Sequence, residues 1–486
     1  MTAPALTQPP FSIAKVGSAT KKGALTKEQR LERRKARWFG ALFFAICFEG
    51  LGRKYLPEIP GEVFYFLKDL VLLYGIVAFP RPRRLAQVMR FVFRPFDKFL
   101  MAAVALTLVE VINTSLRASF FLGILGLRAY WLWWFAMPVV ASVVLSSNVR
   151  RSGINVMAFV CAVVAVFAMI QFGSPSTSAT NTYAIQAGNE VVAFEVASTG
   201  RVRVSSTFTF ITGFTDFVVL IPPLLLSLGL SEGNRRVRLL ANVSAMLAAA
   251  ALPMSGSRAP FIVGLFLLAL VAQQAGFLFT PIGRRVLVGA ILAFMTMLYV
   301  FPDSLQGVQD RFNSDDTKGR FESQYEVVPF IALTKLSYPL LGLGTGMQQN
   351  FRNFFGVDWG EYESEAEPGR LLIELGIAGY LLIWITRFGL LVALLRAASL
   401  LKRANRRAAA GVATAFALLV FYGNLAFDHV WQALFFTGCG FILGELLRVW
   451  PILFPERRPL AAADWPSAPA NRPPEPRLLP APQDSR

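Results

Sequence analysis

The chain has 486 residues, 55% hydrophobic and only 16% charged, with a mean hydropathy of +0.50. A water-soluble protein of this length carries nearer a quarter charged residues, so the composition excludes an ordinary soluble enzyme and indicates an all-α polytopic membrane protein; a transmembrane barrel would show short alternating strands instead. The 48 Lys and Arg against 30 Asp and Glu give a net charge of +18, read here as helix-flanking charge that sets orientation rather than as a nucleic-acid footprint.

Residues 1–37 are polar and basic, ending in KKGALTKEQRLERRKAR, with no apolar core that would make a cleaved signal peptide. They are expected to be a cytoplasmic N-terminal segment. The transmembrane region is expected over 38–455. Apolar runs suited to crossing a bilayer, about 20 residues each, fall near 38–54, 63–80, 97–115, 128–147, 153–172, 208–230, 238–254, 259–278, 286–303, 370–395, 409–427 and 430–449. That predicts about 12 transmembrane helices. The segment SFFLGILGLR (119–128) reads as a re-entrant or interfacial piece.

Basic loops alternate with basic-poor ones. RPRR (81–84), NVRR (148–151), NRRVR (234–238), GRR (283–285), RAASLLKRANRR (396–407) and PERR (455–458) all fall on one side of the twelve-span count. The positive-inside rule makes that side the cytoplasm and puts both termini there. The tail 456–486 is Pro-rich, with eight prolines between Pro459 and Pro482, and reads as disordered. Two long loops face outward, about 173–207 and 304–369. The second is a large extracytoplasmic loop holding ten acidic and five basic residues. It includes the glycine-rich turn PLLGLGTGM (339–347). Cys47, Cys161 and Cys439 lie in apolar runs, with no metal spacing and no disulfide framework. With a single histidine in the chain, a His-rich metal site is excluded, and no metal or cofactor is expected.

Arg203, Arg258 and Arg370 break the positive-inside pattern. Each stands at the expected outward N-terminal end of a descending helix, where a cation opposes the helix dipole. Three together are explained by an anion bound among them: helix N-termini attract anions, and the guanidinium fork suits phosphate oxygens. Snorkelling at helix ends explains any one of them equally well. Arg201 lies beside Arg203 and is assigned a supporting role. Glu363, Glu365 and Glu367 gather just ahead of the helix that Pro368 opens; the plain account is that they complement its dipole. Glu367, Arg370 and Glu374 share one helical face by spacing. Glu374, about one turn into the membrane, is either functional or an internal ion-pair partner of Arg370. Asp428 and the lone His429 fall in the short turn before the last span, where the imidazole suits proton transfer or a structural role. Lys68 and Asp69 read as a simple pair, and Glu110 and Asn113 end the third span.

RVSSTFTFITGFTDF (203–217), SGSRAPFIVGL (255–265), PLLGLGTGM (339–347) and LLIELGIAGYLL (371–382) occur in this order. Together they resemble the O-antigen polymerase and O-antigen ligase superfamily of bacterial membrane glycosyltransferases, over roughly a third of the chain. The resemblance implies transfer of a glycan from a polyprenyl-diphosphate carrier to a glycan acceptor on the outer face of the cytoplasmic membrane. It implies that Arg203 and Arg258 hold the diphosphate and that Glu374 is the motif glutamate. Ligases of this superfamily usually carry a His–Asn pair about nine residues before that glutamate. Here Glu365 and Ala366 stand there, which favours a divergent polysaccharide polymerase over a lipopolysaccharide core ligase. In this reading Arg203, Arg258 and Arg370 neutralise the leaving diphosphate, and Glu365, then Glu367 or Glu363, accepts the acceptor's proton. A chain-length regulator or an export complex would be natural partners.

Two other classes compete. A transporter or flippase of lipid-linked glycans suits twelve spans, but no two-half repeat is visible and the charges cluster at helix ends rather than at the midplane. A non-catalytic assembly partner of a secretion complex is compatible with the basic N-terminus and the Pro-rich tail.

Overall fold

A computed structural model describes residues 25–56, 59–182, 200–277, 281–306, 309, 340–349, 352, 355–356 and 367–455. The Pro-rich tail, Glu363 and Glu365 lie outside the described residues. The chain is helical, with no β-strand among the described residues. In order the helices are α1 (Lys27–Tyr55), α2 (Gly61–Ala78), α3 (Arg83–Phe93), α4 (Asp97–Arg117), α5 (Phe120–Trp131), α6 (Ala136–Val143), α7 (Ser147–Gly173), α8 (Ile211–Leu230), α9 (Arg235–Ala250), α10 (Arg258–Gln274), α11 (Pro281–Val300), α12 (Glu367–Arg403), α13 (Arg407–Leu419) and α14 (His429–Leu453).

Each of the twelve apolar segments falls on a helix. Seven helices are long and apolar enough to cross a membrane, or eight if α2 and α3, bent by 116°, form one span. The helices α10 and α13 are apolar but shorter. In α1, Arg37 at one end and Glu49, Arg53 and Lys54 at the other leave only residues 38–48 uncharged. The segment at 119–128 is not a separate re-entrant piece. The helix α5 runs through the 3-10 turn Leu132–Phe135 into α6, and Phe120–Val143 forms one apolar run. Arg128 looked like a span boundary but lies inside, paired with Asp69.

The helices α8 and α14 form the middle of the bundle, with 89% and 94% of their apolar windows buried. Membrane helices associate through close packing rather than a hydrophobic drive, so small residues mark the contacts. A Cβ on Gly440 would come within 2.6 Å of Val140, and one on Gly444 within 2.6 Å of Val144. These glycines let α6 lie flush against α14.

Ion pairs tie the basic loops together at one end. Arg150 of α7 bonds Glu232 at 2.9 Å and Glu445 of α14 at 2.7 Å; Arg151 adds a 3.0 Å bond to Glu232. Glu32 of α1 accepts from Ser146 and Asn148 at the same end. Two of the loops predicted to share a side, NVRR and the one before α9, thus meet in space. At the far end of α1, Lys54 reaches Ser205; the predicted outward residues collect there.

Candidate functional site

The stretch 203–210 is strapped to two helices, α1 and α7. The Thr207 hydroxyl donates to the Cys47 carbonyl at 2.6 Å, the Ser206 hydroxyl to the Val164 carbonyl at 2.7 Å, and the Ser206 N–H to Gln171 Oε1 at 2.6 Å. These bonds hold Ser206 at φ +50°, which a residue with a side chain adopts only when its surroundings enforce it. Gly50 of α1 lies flush on this backbone, because a Cβ there would overlap Phe208 and Thr209. The loop in turn aims Arg203. Its Nε donates to the Ser255 carbonyl at 3.2 Å and its Nη2 to Ser257 Oγ at 2.8 Å. Gly256, at φ +61°, gives the turn that lets the guanidinium pass. Two motifs about fifty residues apart are thereby joined: Arg203 lies along the turn whose next residue, Arg258, opens α10. Arg201 pairs with Asp303 at 3.0 Å, both partly exposed.

Lys54 continues this group, donating to Ser205 Oγ at 2.7 Å and to the Ser206 carbonyl at 3.0 Å. One turn back, Glu49 takes Arg53 at 3.6 Å and the fully buried Lys68. Asp69 takes Arg128 through Nε at 2.5 Å. Lys68 and Asp69 are therefore not a pair with each other; successive residues of a helix point apart, and each finds its partner on another helix. The Tyr65 ring lies between the two cations, 4.4 Å from Lys68 Nζ and 4.6 Å from the Arg128 guanidinium. Its other neighbour is the His429 ring, edge-on at 5.3 Å. His429 is buried, and its Nδ1 has no hydrogen-bond partner among the described residues; neither has Gln432 Nε2, one turn on. Buried polar atoms without partners mark a place where water or a ligand completes the set. Asp428 caps α14, accepting from Val430 and Trp431 N–H at 3.0 Å each. Its Oδ1 serves helix geometry.

The helix α12 departs most from expectation. Gly376 stands at φ +63° and ψ −173°, outside helical space. The chain folds back there: Arg387 reaches Glu367 at 3.0 Å across twenty residues, which a straight helix would hold roughly 30 Å apart. Glu367 also accepts from the Ala426 N–H at 2.7 Å. Three of its four acceptor positions are thus taken by an internal ion pair and a backbone group, a structural commitment that competes with a role as proton-accepting base. Nor do Glu367, Arg370 and Glu374 open a simple descending span; Glu374 lies beside the apex of a hairpin.

The glycine-rich turn inserts at that apex. The Leu343 and Gly344 N–H groups donate to the Ile373 and Glu374 carbonyls at 2.8 and 3.0 Å, and the Ala378 N–H donates to Leu340 O at 3.3 Å. Carbonyls that the break frees are satisfied by another strand of chain, as membrane-depth backbone requires. A Cβ on Gly342 would overlap the Glu374 carbonyl, and one on Gly346 would overlap the Leu122 carbonyl. Side chains hold the rest. Glu110 accepts from the Gly342 N–H at 3.0 Å, Asn113 donates to Gly342 O at 2.7 Å, and Thr114 donates to Thr345 O at 2.8 Å. Glu374 accepts from the Gln348 N–H at 2.6 Å and the Tyr130 hydroxyl at 2.8 Å. It is fully buried. Its carboxylate anchors the turn, with Arg370 within electrostatic reach. The Arg370 guanidinium lies 5.5 Å from the Phe427 ring, and Phe427 packs on Tyr130 at 5.8 Å.

The contacts form a belt. It passes from the Arg203–Arg258 turn through Lys54, Arg53, Lys68 and Arg128 to His429, and by Phe427 to Arg370. Sequence reasoning missed Lys54, Glu49, Arg128 and Arg387. The signal that would have found them is an ionisable residue inside an apolar helix, which normally faces protein or water.

The fold and this belt define a class: an all-helical chain of multi-pass membrane type, with a glycine-rich turn inserted at the bend of α12 and a cationic belt at the end away from its basic loops. No family model matches the chain, and no curated protein sequence matches it. The resemblance to the polymerase and ligase superfamily therefore rests on the motifs within 203–382.

Proposed function

We propose that the protein is an integral membrane glycosyltransferase of twelve crossings. It polymerises polyprenyl-diphosphate-linked oligosaccharide repeat units on the outer face of a bacterial cytoplasmic membrane. The observation that carries this reading is the cationic belt, gathered at the end where the positive-inside rule expects few cations. Arg203 is fixed against the opening of α10, beside Arg258, which suits a diphosphate. In the proposed step the acceptor hydroxyl oxygen attacks the anomeric carbon. The bond from that carbon to the diphosphate oxygen breaks, and the diphosphate leaves with the electron pair. Arg203, Arg258 and Arg370 stabilise the charge that develops on it, without a metal. The hydroxyl proton passes to a carboxylate, Glu365 first and Glu363 next. Ligation to a different acceptor would use the same step.

A second reading has an observation of its own. A helix broken at Gly376 with a turn inserted is a device that transporters use for substrate sites, so a flippase of lipid-linked glycans is the competing function. One experiment separates them. Lipid-linked oligosaccharides and surface polysaccharide are extracted together from a deletion strain and from an Arg258→Ala strain at equal protein level. Single repeat units on the outer leaflet with long polymer lost support the transferase. Repeat units trapped on the cytoplasmic leaflet support the flippase, and normal polymer in Arg258→Ala removes this arginine from the site.

A further inference from the structure

We propose that the groove between α1 and α2 at the basic end is a binding site for an anionic phospholipid of the adjacent leaflet. The groove has a volume of about 690 Å³, within the range of small-molecule sites, roughly 300–1,000 Å³. It has two chemically distinct parts. Its mouth is lined by Arg30, Arg33, Arg34 and Arg37. Arg30 and Arg33, like Arg34 and Arg37, are three apart, and Arg30 and Arg34, like Arg33 and Arg37, are four apart, so they share one face of α1. Its length is lined by Trp38, Ala41, Leu70, Val71 and Tyr74, which carry on from the arginines along the apolar part of both helices.

The arrangement matches one occupant. A phosphodiester headgroup would meet the arginines at the mouth, and an acyl chain would lie along the apolar length. Arg34 is already committed, donating to the Tyr74 hydroxyl at 2.6 Å with its guanidinium 5.3 Å from that ring. Arg30, Arg33 and Arg37 are exposed and pair with no carboxylate among the described residues. Glu32 is turned away, held by Ser146 and Asn148. Orientation signalling alone needs cations near the membrane, not a groove beneath them. Basic pockets between helices at this interface recognise anionic headgroups. The buried Trp38 supplies a rigid wall, its Nε1 donating to the Val71 carbonyl at 2.7 Å.

The test uses the full-length protein in a neutral detergent. Its thermal unfolding is followed while short-chain phosphatidylglycerol, short-chain phosphatidylcholine or inorganic phosphate is added. Phosphatidylglycerol alone is expected to raise the midpoint in a saturable way. An equal response to phosphatidylcholine, or the same shift with inorganic phosphate, would overturn the proposal. Two variants then test the two parts. The double variant R33Q/R37Q is expected to weaken the phosphatidylglycerol response at least tenfold. A41W leaves every charge in place and fills the apolar length, and it should abolish the response while its lipid-free midpoint stays near that of the parent. If A41W still responds like the parent, the groove is not the seat. Should A41W not fold, L70W fills the same groove from α2 and is read the same way.

Discussion

Replacing Gly376 by alanine tests whether the hairpin in α12 is the keystone of the inserted glycine-rich turn. Two costs follow from the geometry. The backbone at φ +63° and ψ −173° is a region that essentially only glycine adopts, and it costs an L-residue roughly 1–3 kcal/mol. The added Cβ would also come within 2.5 Å of the Leu340 and Leu341 backbone, which no side-chain rotation relieves. Displacing that backbone breaks the bonds from Leu343, Gly344 and Ala378, each worth roughly 0.5–1.5 kcal/mol net. The sum is on the order of 3–7 kcal/mol, released locally as unseating of the turn. The assay introduces a reporter thiol by Thr345→Cys and labels it with a membrane-impermeant maleimide. Thr345 is fully buried, and the native Cys47, Cys161 and Cys439 are buried as well, so the background is low. The reporter thiol should stay protected in the otherwise unchanged chain and react when Gly376→Ala is added. Gly276→Ala is the control: Gly276 has φ +69° with nothing within 4 Å, so it carries a positive-φ cost alone. Continued protection of the reporter in the Gly376 variant would refute the idea that the break seats the turn.

Three other outcomes are expected. Arg387→Ala should lower stability by about 3–5 kcal/mol, the usual cost of orphaning a buried charge, whereas Arg387→Met with Glu367→Gln should recover much of it; an additive double variant would show that the pair is not coupled. Gly50→Ala should lose polymer as Arg203→Ala does, because its Cβ would push Phe208 and Thr209 and displace the loop that aims Arg203; a fully active Gly50→Ala would mean the loop tolerates the shift. At the basic end, burial pushes the Glu232 carboxyl up. The hydrogen bonds from Arg151 and the Asn234 N–H, with the Arg150 and Arg151 charges, outweigh burial and hold it below the usual carboxylate range. A lowered folded-state pKa gives stability that is present above about pH 4 and lost as pH falls through the folded value. Thermal midpoints measured from pH 6 to pH 3 should therefore fall more steeply in the parent than in Glu232→Gln, and parallel curves would remove Glu232 as the cause.

The apolar segments were readable because length and hydropathy are local properties, and each of them falls on a helix. Partnerships were not, because they are set across helices. Adjacent Lys68 and Asp69 read as a pair, yet Glu49 and Arg128 are their partners. Gly376 lies within the predicted span 370–395 without a local signal of a break; its positive φ makes sense only with Leu340–Gly342 lying against it. The same hairpin gives Glu367 a partner that spacing along the chain does not show. Spacing put it on a face with Arg370 and Glu374, and the fold-back then gave it to Arg387, a charge hidden in an apolar run. Arg203 and Arg258 lie near each other for a local reason. Each sits at a small-residue turn before a helix, and such turns meet when neighbouring helices begin at the same end.

The way the turn is held bears on which proposed function the fold serves better. A transport cycle that moved residues 340–349 would have to break their bonds to Glu110, Asn113, Thr114, Gly123, Tyr130-bound Glu374 and the α12 apex together. Each broken partner would be left buried and unsatisfied, at roughly 1–3 kcal/mol apiece. Gly342 and Gly346 are close-packed against backbone, and Gly344 against the Thr114 hydroxyl and backbone, so the seat has little room to deform. Such a structure acts as a fixed wall. A fixed wall suits a site that must hold a diphosphate still while charge builds on it, since preorganised groups stabilise a transition state only if they need not move. If alternating access operates in this chain, its moving boundary lies elsewhere than the turn. A disulfide that locks the turn to α4 without stopping polymer formation would accord with the transferase, and one that stops lipid-linked units from crossing would revive the transporter.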